Sequence, residues 1–516
     1  MFGHDRVIDG AASADADFSA DVCVIGSGAG GAVSAAILAG AGLDVLLVEE
    51  GGLMTGTGTA LREEVALPLL YQDGMQRATS DGGIGILQGR TVGGTTFVNW
   101  MTCLRIADET IAMWNDEFGV REVTSALLEP EFKALEARLA IQKVPETAMN
   151  RNNRLMFDGC RSLGWEVDTV SRNAFGCTEL GACGLGCPTN AKRSMTVTFV
   201  PDMIENGGRL VHRLKIDRLV ISEGSVQLAV GRFLGRDTLT PTGRTARIVA
   251  KRFVLSCGAL NSPALLLRSG YSANGRVGAR TYLHPATASF GLYDDVVDSH
   301  VGAPQSAVSR QFMDRGSDPG FFLECVPWTP ALAATMLRGF GAEHRSMLRQ
   351  YRQLAVHIAI TIDGHTGEPG GRVRLRPTGA PVLDYALQPN QWRTLAYAQA
   401  RLAEIALATG AREVLTMHDP PFAVRAASEI DEIADLRWEP LSAAVFSAHQ
   451  MGGCAMGDEP GQSVVRSWDL RVHDIDNLHV IDGSVFPTSV GVNPQFTIFA
   501  LARLAATRLA EQQATR

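Results

Sequence analysis

The 516 residues give room for two or three domains, and 46% hydrophobic against 20% charged residues is the balance of a globular chain. A net charge of −8 excludes nucleic acid as the main partner, because binding a phosphate backbone needs a basic face. No run approaches ~18–20 consecutive apolar residues, so no membrane span is expected, and the polar start lacks the basic and apolar regions of a secretory signal.

Residues 1–18 read as a tail or an arm lying on the body. The first organised stretch is 21–52, DVCVIGSGAGGAVSAAILAGAGLDVLLVEEGG. Its apolar run 22–25 reads as a buried parallel strand, the small residues 32–38 as a helix, and 44–48 as a second buried strand. Between the first strand and the helix lies GSGAGG. Gly26 permits a tight turn, Gly28 lets the backbone approach a pyrophosphate, and Gly31 lets helix and strand pack closely. The helix start offers free N–H groups and the positive end of its dipole to phosphates. Glu49 closes the second strand, where an acid can hydrogen-bond ribose hydroxyls. Strand, loop, helix, strand and acid in this order point to a bound dinucleotide. The unit alone does not separate NAD from FAD.

Residues 53–86 lack periodicity and read as a lid or binding segment. In GRTVGGTTFVNW, Gly93 and Gly94 followed by Thr95 offer N–H groups and a small hydroxyl where a flat or phosphorylated ligand could approach. Helices are expected over 109–139, in pieces, and over 150–164. Of nine cysteines only Cys177, Cys183 and Cys187 cluster. Thiolates so spaced could hold an iron–sulfur cluster or zinc, or form a disulfide; they are one short of a four-cysteine site, so a disulfide or structural thiols are preferred. An odd, scattered set is no secreted disulfide framework, and cytoplasm is the expected compartment. Alternation over 209–228 predicts two strands. Residues 253–255 predict a buried strand running into CGALNSP, where a helix starts. From about 290, alternating runs at 356–360 and 372–376 predict an antiparallel sheet, and 389–409 an amphipathic helix. Near the end, 478–481 reads as a strand and 496–509 as an apolar helix.

Together, GSGAGG with Glu49, GRTVGGTTFVN, CGALNSP, HQMGGCAMG from His449, and VIDGSVFPTSVGVNPQFTIFA stand in the order and spacing of the glucose–methanol–choline (GMC) flavin oxidoreductases. The chain resembles that family over nearly its whole length. CTELGACGLGCPTNAKRS resembles its long-chain alcohol oxidase and dehydrogenase branch. The resemblance implies FAD and an α/β fold. An FAD-binding, Rossmann-like domain of glutathione-reductase type would be built from separated segments, 19–289 and 442–516. A substrate domain with an antiparallel sheet and helices would occupy 290–441. By the same resemblance Gly26, Gly28 and Gly31 would hold the pyrophosphate and Glu49 the adenosine ribose. Gly93, Gly94, Thr95 and Asn99 would lie along the pyrophosphate and isoalloxazine, and Asp482 beside the ribityl or phosphate region. His449 and Asn493 match the catalytic pair; some relatives have a second His in place of Asn493. Trp100 stands where many members have glycine and would narrow the site. The stretch 95–98 has no histidine, so FAD is expected to be non-covalent. No metal site is assigned.

The implied reaction moves a hydride from an alcohol carbon to flavin N5 and a proton from its oxygen to a base. An imidazole suits the base, its ordinary pKa of about 6.5 lying near working pH. His449 takes that role, and Asn493 donates a hydrogen bond to the alkoxide. The other histidines receive no catalytic role, and His284 is given a structural place. The expected substrate is an apolar alcohol, with oxygen or a quinone-type acceptor, leaning to the latter. Peripheral contact with a membrane stays open. Competing readings are a lyase or light-driven decarboxylase on the same FAD fold, and a flavin-bearing subunit without turnover.

Overall fold

In the computed structural model, which describes residues 4–55, 58 and 61–514, two large sheets contribute to one cleft. The first sheet is built on parallel strands. Ala16–Ile25 pairs with Val45–Glu49, which pairs with Arg209–His212, and Val7–Asp9 adds beyond that. On its other side Ala16–Ile25 pairs in parallel with Pro241–Leu255, which also takes Leu478–Val480 in parallel. The antiparallel Ser225–Leu234 and Leu214–Ser222 finish the sheet. Helix Ala29–Gly40 packs between this sheet and helices Gln495–Ala514 and Phe199–Glu205. Its buried Ala32, Ala35 and Ala36 keep that approach close. The glycine loop thus lies at the carboxyl ends of parallel strands, where open α/β sheets bind ligands.

Among residues 4–18 the expected tail or arm is tied into the body as sheet. Val7–Asp9 is a paired strand, and the long strand already begins at Ala16. An alternating, half-exposed edge carries too weak an apolar signal to be read as sheet.

The second sheet is centred on Ala286–Leu292 and Leu354–Thr361, paired antiparallel. Phe321–Cys325, Ala307–Phe312 and Asp168–Thr169 extend it one way, and Glu413–Leu415 with Ala423–Val424 the other. Val445–Ser447 and Ile84–Ile86 join its end. The expected division at 289/290 therefore falls inside a strand, and short segments from both flanks complete the sheet. Edge N–H and C=O groups need partners, and these segments supply them. Helix Pro389–Ala408 covers the sheet, with Pro389 in its first turn and a capping box between Gln388 and Gln391.

The run at 372–376 forms Gly371–Leu375, but in a separate four-stranded sheet with Pro381–Asp384, Ala279–Tyr282 and Met451–Gly452. There Tyr282 stands opposite Met451 in antiparallel register. Continuing that register two residues past one strand and two before the other brings residue 284 toward residue 449. The 53–86 segment contains helix Glu63–Leu70 and strand Ile84–Ile86; part of the expected lid, 56–57 and 59–60, lies outside the described residues.

Candidate active site

The glycine loop is shaped by the strand ends around it. Gly26 has φ +101°, and a Cβ there would meet the Ser256 carbonyl oxygen at 2.3 Å. Ser256 in turn donates its hydroxyl to the Ile481 carbonyl at 2.6 Å. A Cβ on Gly30 would lie 1.8 Å from that same Ile481 oxygen, and one on Gly31 would lie 1.9 Å from the Gly26 oxygen. Gly28 differs, since a Cβ would meet nothing nearer than the Gly94 Cα at 3.9 Å. Gly26, Gly28 and Gly30 line the cleft, while Gly31 stands behind them in the helix–strand contact. Gly30 was not singled out in the sequence, because its partner strand enters from the far end of the chain.

Glu49 holds the loop in place. One oxygen accepts the Ser27 N–H at 3.0 Å and the Ser27 hydroxyl at 2.7 Å; the other accepts the Gly51 N–H at 2.9 Å. Burial raises its pKa to about 7 against these hydrogen bonds, with the charge of Glu50 adding to the rise. A carboxylate has roughly four acceptor positions, so Glu49 retains capacity toward the cleft it lines. Glu50, beside it, is also desolvated, but Lys215, Gln72 and Arg90 outweigh burial and hold it down at about 2.

The second glycine pair meets the first. Ser27 Oγ accepts the Gly93 N–H at 3.0 Å, and a Cβ on Gly94 would sit 2.8 Å from the Gly28 Cα. Gly94, Thr95 and Asn99 line the cleft, with Gly93 turned toward Thr196 behind them. Thr95 Oγ1 accepts the Gly89 N–H at 3.1 Å, and Asn99 Nδ2 donates to Gln495 Oε1 at 2.7 Å. Trp100 also lines the cleft. Asp482 ties two turns together, accepting from Gly258 N–H at 2.8 Å, the Ser262 hydroxyl at 2.6 Å and Ser484 N–H at 2.8 Å.

At the other end of the same cleft surface, His449 and Asn493 come in with two residues that the sequence reading did not assign to catalysis. The rings of His449 and His284 are 5.4 Å apart, with Nδ1 to Nδ1 at 3.3 Å. His284, expected to be structural, lines the cleft beside His449. Asn493 Nδ2 donates to Glu324 Oε2 at 3.3 Å, which also accepts from Gln305 Nε2 at 2.7 Å. Glu324 is fully buried in strand Phe321–Cys325, and burial raises its pKa to about 8 despite these donors. One signal could have found it, an acid inside the apolar run FFLECVPW. Burial also lowers the pKa of His449 to about 4. Ile358, Ile360 and Phe446 give this end apolar walls.

The cleft measures about 720 Å³, within the usual range for cofactor sites. Asn99 Oδ1, Asn493 Oδ1, Glu324 Oε1 and His284 Nε2 are buried without protein partners, and all four residues line it. Buried polar atoms are normally satisfied, so this wall is suited to a ligand carrying polar edges. The room at Gly28 and the free acceptor capacity of Glu49 fit a dinucleotide. Cys177, Cys183 and Cys187 are free thiols, exposed, buried and half-buried respectively, and no group of three metal-binding side chains comes together among the described residues.

Two family models described as GMC oxidoreductase match residues 47–286 and 368–502. The chain belongs to the GMC oxidoreductase family. It is an FAD-dependent oxidoreductase of that family. An uncharacterized GMC-type oxidoreductase of Mycobacterium tuberculosis is 33% identical over 94% of this chain and 74% of its own length. A long-chain-alcohol oxidase of Arabidopsis thaliana is 29% identical over 93% of this chain and 67% of its own length. A 6'''-hydroxyparomomycin C oxidase of Streptomyces lividus is 29% identical over 98% and 95%. Among solved structures, formate oxidase of Aspergillus oryzae has a TM-score of 0.70 at 15% identity, covering 98% of this chain and all of that one. Pyridoxine 4-oxidase from Mesorbium loti has a TM-score of 0.67 at 19% identity, covering 95% and 99%. These structural likenesses support the expected α/β fold with FAD-binding and substrate parts. No described helix is long and apolar enough to cross a membrane.

Proposed function

We propose that this GMC oxidoreductase oxidises an apolar alcohol to an aldehyde or ketone, with His449 as base and Asn493 as hydrogen-bond donor to the substrate oxygen. The observation that carries the reading is that one cleft collects the glycine loops, Asp482, His449 and Asn493. FAD, when bound, supplies acceptance of the hydride from the alcohol carbon. Gly26, Gly28 and Glu49 would hold its nucleotide end, Gly94, Thr95 and Asn99 its middle, with Gly31 and Gly93 shaping those loops from behind. The absence of a histidine over 95–98 supports non-covalent attachment.

His449 enters neutral at pH 7, because burial disfavours its charged form. Its imidazole can then accept the alcohol proton. Asn493 uses one amide N–H on Glu324, leaving the second for the substrate oxygen as negative charge develops there. Ile358, Ile360 and Phe446 favour an apolar chain beside the reacting carbon and keep water away. The long-chain-alcohol oxidase relatives support an alcohol substrate and oxygen as acceptor, a shift from the quinone-type preference.

Anaerobic mixing of the holoprotein with aliphatic, aromatic, sterol and polyhydroxy alcohols tests this directly. Long aliphatic alcohols should bleach the flavin absorbance, and readmitted oxygen should restore it with release of hydrogen peroxide. His449→Ala should keep FAD and lose on the order of 100-fold or more in bleaching rate. Bleaching by polyhydroxy alcohols alone would reject the apolar preference. No bleaching by any alcohol would hand the site to the lyase reading.

A further inference from the structure

We infer that His284 is a positioning residue for His449: it accepts a hydrogen bond from the His449 Nδ1–H and so holds that ring with the Nε2 lone pair toward the cleft. The inference rests on the reading of His449 as the base and adds what makes it one.

The argument starts from imidazole chemistry. A neutral imidazole has one N–H and one bare nitrogen. Two Nδ1 atoms 3.3 Å apart are bonded only if one of them carries the hydrogen. If His284 carried it, the proton of His449 would sit on Nε2, and the ring could not accept another from a substrate. If His449 carries it, Nε2 is free to accept. Proton uptake selects between the two. Once His449 is an imidazolium both of its nitrogens are donors, and its Nδ1–H must face an acceptor. A bare Nδ1 on His284, 3.3 Å away, provides one. The same contact therefore fixes the tautomer before reaction and stabilises the charge afterwards, the part that a carboxylate plays in other His-dependent sites.

The fold is built to hold His284 there. The register that sets Tyr282 opposite Met451 brings the two histidines together. Asp363 accepts the backbone N–H of Leu283 at 2.8 Å and of His284 at 3.0 Å, and Tyr385 donates its hydroxyl to the same carboxyl at 2.5 Å. Ser447 donates to the Leu283 carbonyl and accepts the His449 N–H at 3.1 Å, stitching the two segments. His284 has φ +49°, a conformation non-glycine residues hold only when the surroundings impose it. Its ring lies edge-on to Phe322, with centroids 6.0 Å apart. The titratable groups around it are His449, His365 and Asp363, with Tyr385 behind Asp363, and Glu324 lines the same cleft. His284 is buried and fixed by its backbone, so its own protonation is disfavoured and it remains an acceptor.

The test uses holoenzyme carrying His284→Phe, His284→Asn and His449→Gln. Asparagine tolerates a positive φ and can set its carbonyl oxygen near the place of Nδ1; phenylalanine keeps the ring without an acceptor. With 15N-histidine labelling, wild-type His449, assigned by its loss in His449→Gln, should show a protonated Nδ1 and a bare Nε2. In His284→Phe that fixed tautomer should disappear. Anaerobic flavin reduction should slow on the order of 100-fold in His284→Phe, with the alcohol KM changed less than about threefold, and His284→Asn should recover about tenfold of the loss. The acid limb of the reduction-rate pH profile should move in His284→Phe and return toward wild type in His284→Asn. A wild-type His449 protonated at Nε2 overturns the inference. So does a His284→Phe enzyme within about threefold of wild type, or a His284→Asn enzyme as slow as His284→Phe with both retaining FAD. Should His284→Phe fail to fold, the wild-type tautomer and the His284→Asn rate decide. Normal reduction in His449→Gln would instead reject the base assignment, an outcome separate from the His284 result.

Discussion

Gly28 and Gly30 are two residues apart in GSGAGG, yet they meet different surroundings. A Cβ on Gly30 would press to 1.8 Å on a backbone oxygen, while one on Gly28 would face only Gly94 at 3.9 Å. Gly30→Ala should therefore destabilise the fold itself, by about 2 kcal/mol or more, as overpacking does. Gly28→Ala should unfold at nearly the wild-type urea midpoint without flavin but bind FAD more weakly. Equal losses of stability in the two variants would contradict this assignment. Glu324 offers a second test. Its folded pKa of about 8 lies above the ordinary 4.5, so the folded state holds the proton over that window while the unfolded state does not. Its contribution is fully present below pH 4.5 and is lost as pH rises toward 8, at ~1.4 kcal/mol per pH unit at most. Glu324→Gln does not titrate. Its stability relative to wild type should climb between pH 5 and pH 8, and parallel urea curves at the two pH values would reject the raised pKa. Gly26, Gly28 and Gly31 could be named from one short motif and Glu49 from its place at the end of the next strand, whereas Gly30 could not. Glu324 and His284 were not legible either, since each acts through residues remote in sequence, Asn493 and His449.

Helices and strands with their own periodicity were readable: Pro389–Ala408, Arg151–Ser162 and Leu478–Val480 lie within a residue or two of expectation. Pro241–Leu255 was seen only at its last three residues. Its earlier part alternates buried and exposed and is rich in arginine, and pairing with Ala16–Ile25 holds it extended. The strands Val7–Asp9 and Asp168–Thr169 exist because a neighbouring edge recruits them. Joints between elements are equally hard to read from sequence, and Asp482 is one. Its carboxylate receives two backbone N–H groups and one hydroxyl from the 258–262 and 482–484 turns. Asp482→Ala removes all three and leaves buried donors unpaired, so a loss of about 2–4 kcal/mol is expected. Asp482→Asn keeps the shape but forces one amide hydrogen toward a donor, and should fall between. FAD retention should follow the same order, measured as flavin absorbance per polypeptide after gel filtration. An Asp482→Ala protein with wild-type stability and full flavin would show that the joint is held elsewhere.

At the scale of the molecule, the cleft divides its walls between the two sheets. The glycine loops and Asp482 belong to the parallel sheet, while Glu324, Ile358, Ile360 and Phe446 belong to the strands of the antiparallel one. A ligand that bridges these walls stabilises both in one equilibrium. Binding to the folded state alone adds about 2.7 kcal/mol at free ligand one hundred times its Kd. The unpartnered atoms of Asn99, Asn493, Glu324 and His284 add a local argument, because they are unsatisfied until a polar ligand edge meets them. Removing flavin, by dialysis against high halide at acid pH, should lower the Tm and raise amide exchange in strands of both sheets. Adding FAD back should restore both, with a Tm that rises with the logarithm of its concentration. Riboflavin, lacking the nucleotide end, should restore little, since the parallel-sheet contacts would go unmade. Flavin that stays on the denatured polypeptide would show a covalent link and remove this concentration dependence. Exchange changes confined to the parallel sheet would show instead that the antiparallel wall is formed before the cofactor arrives.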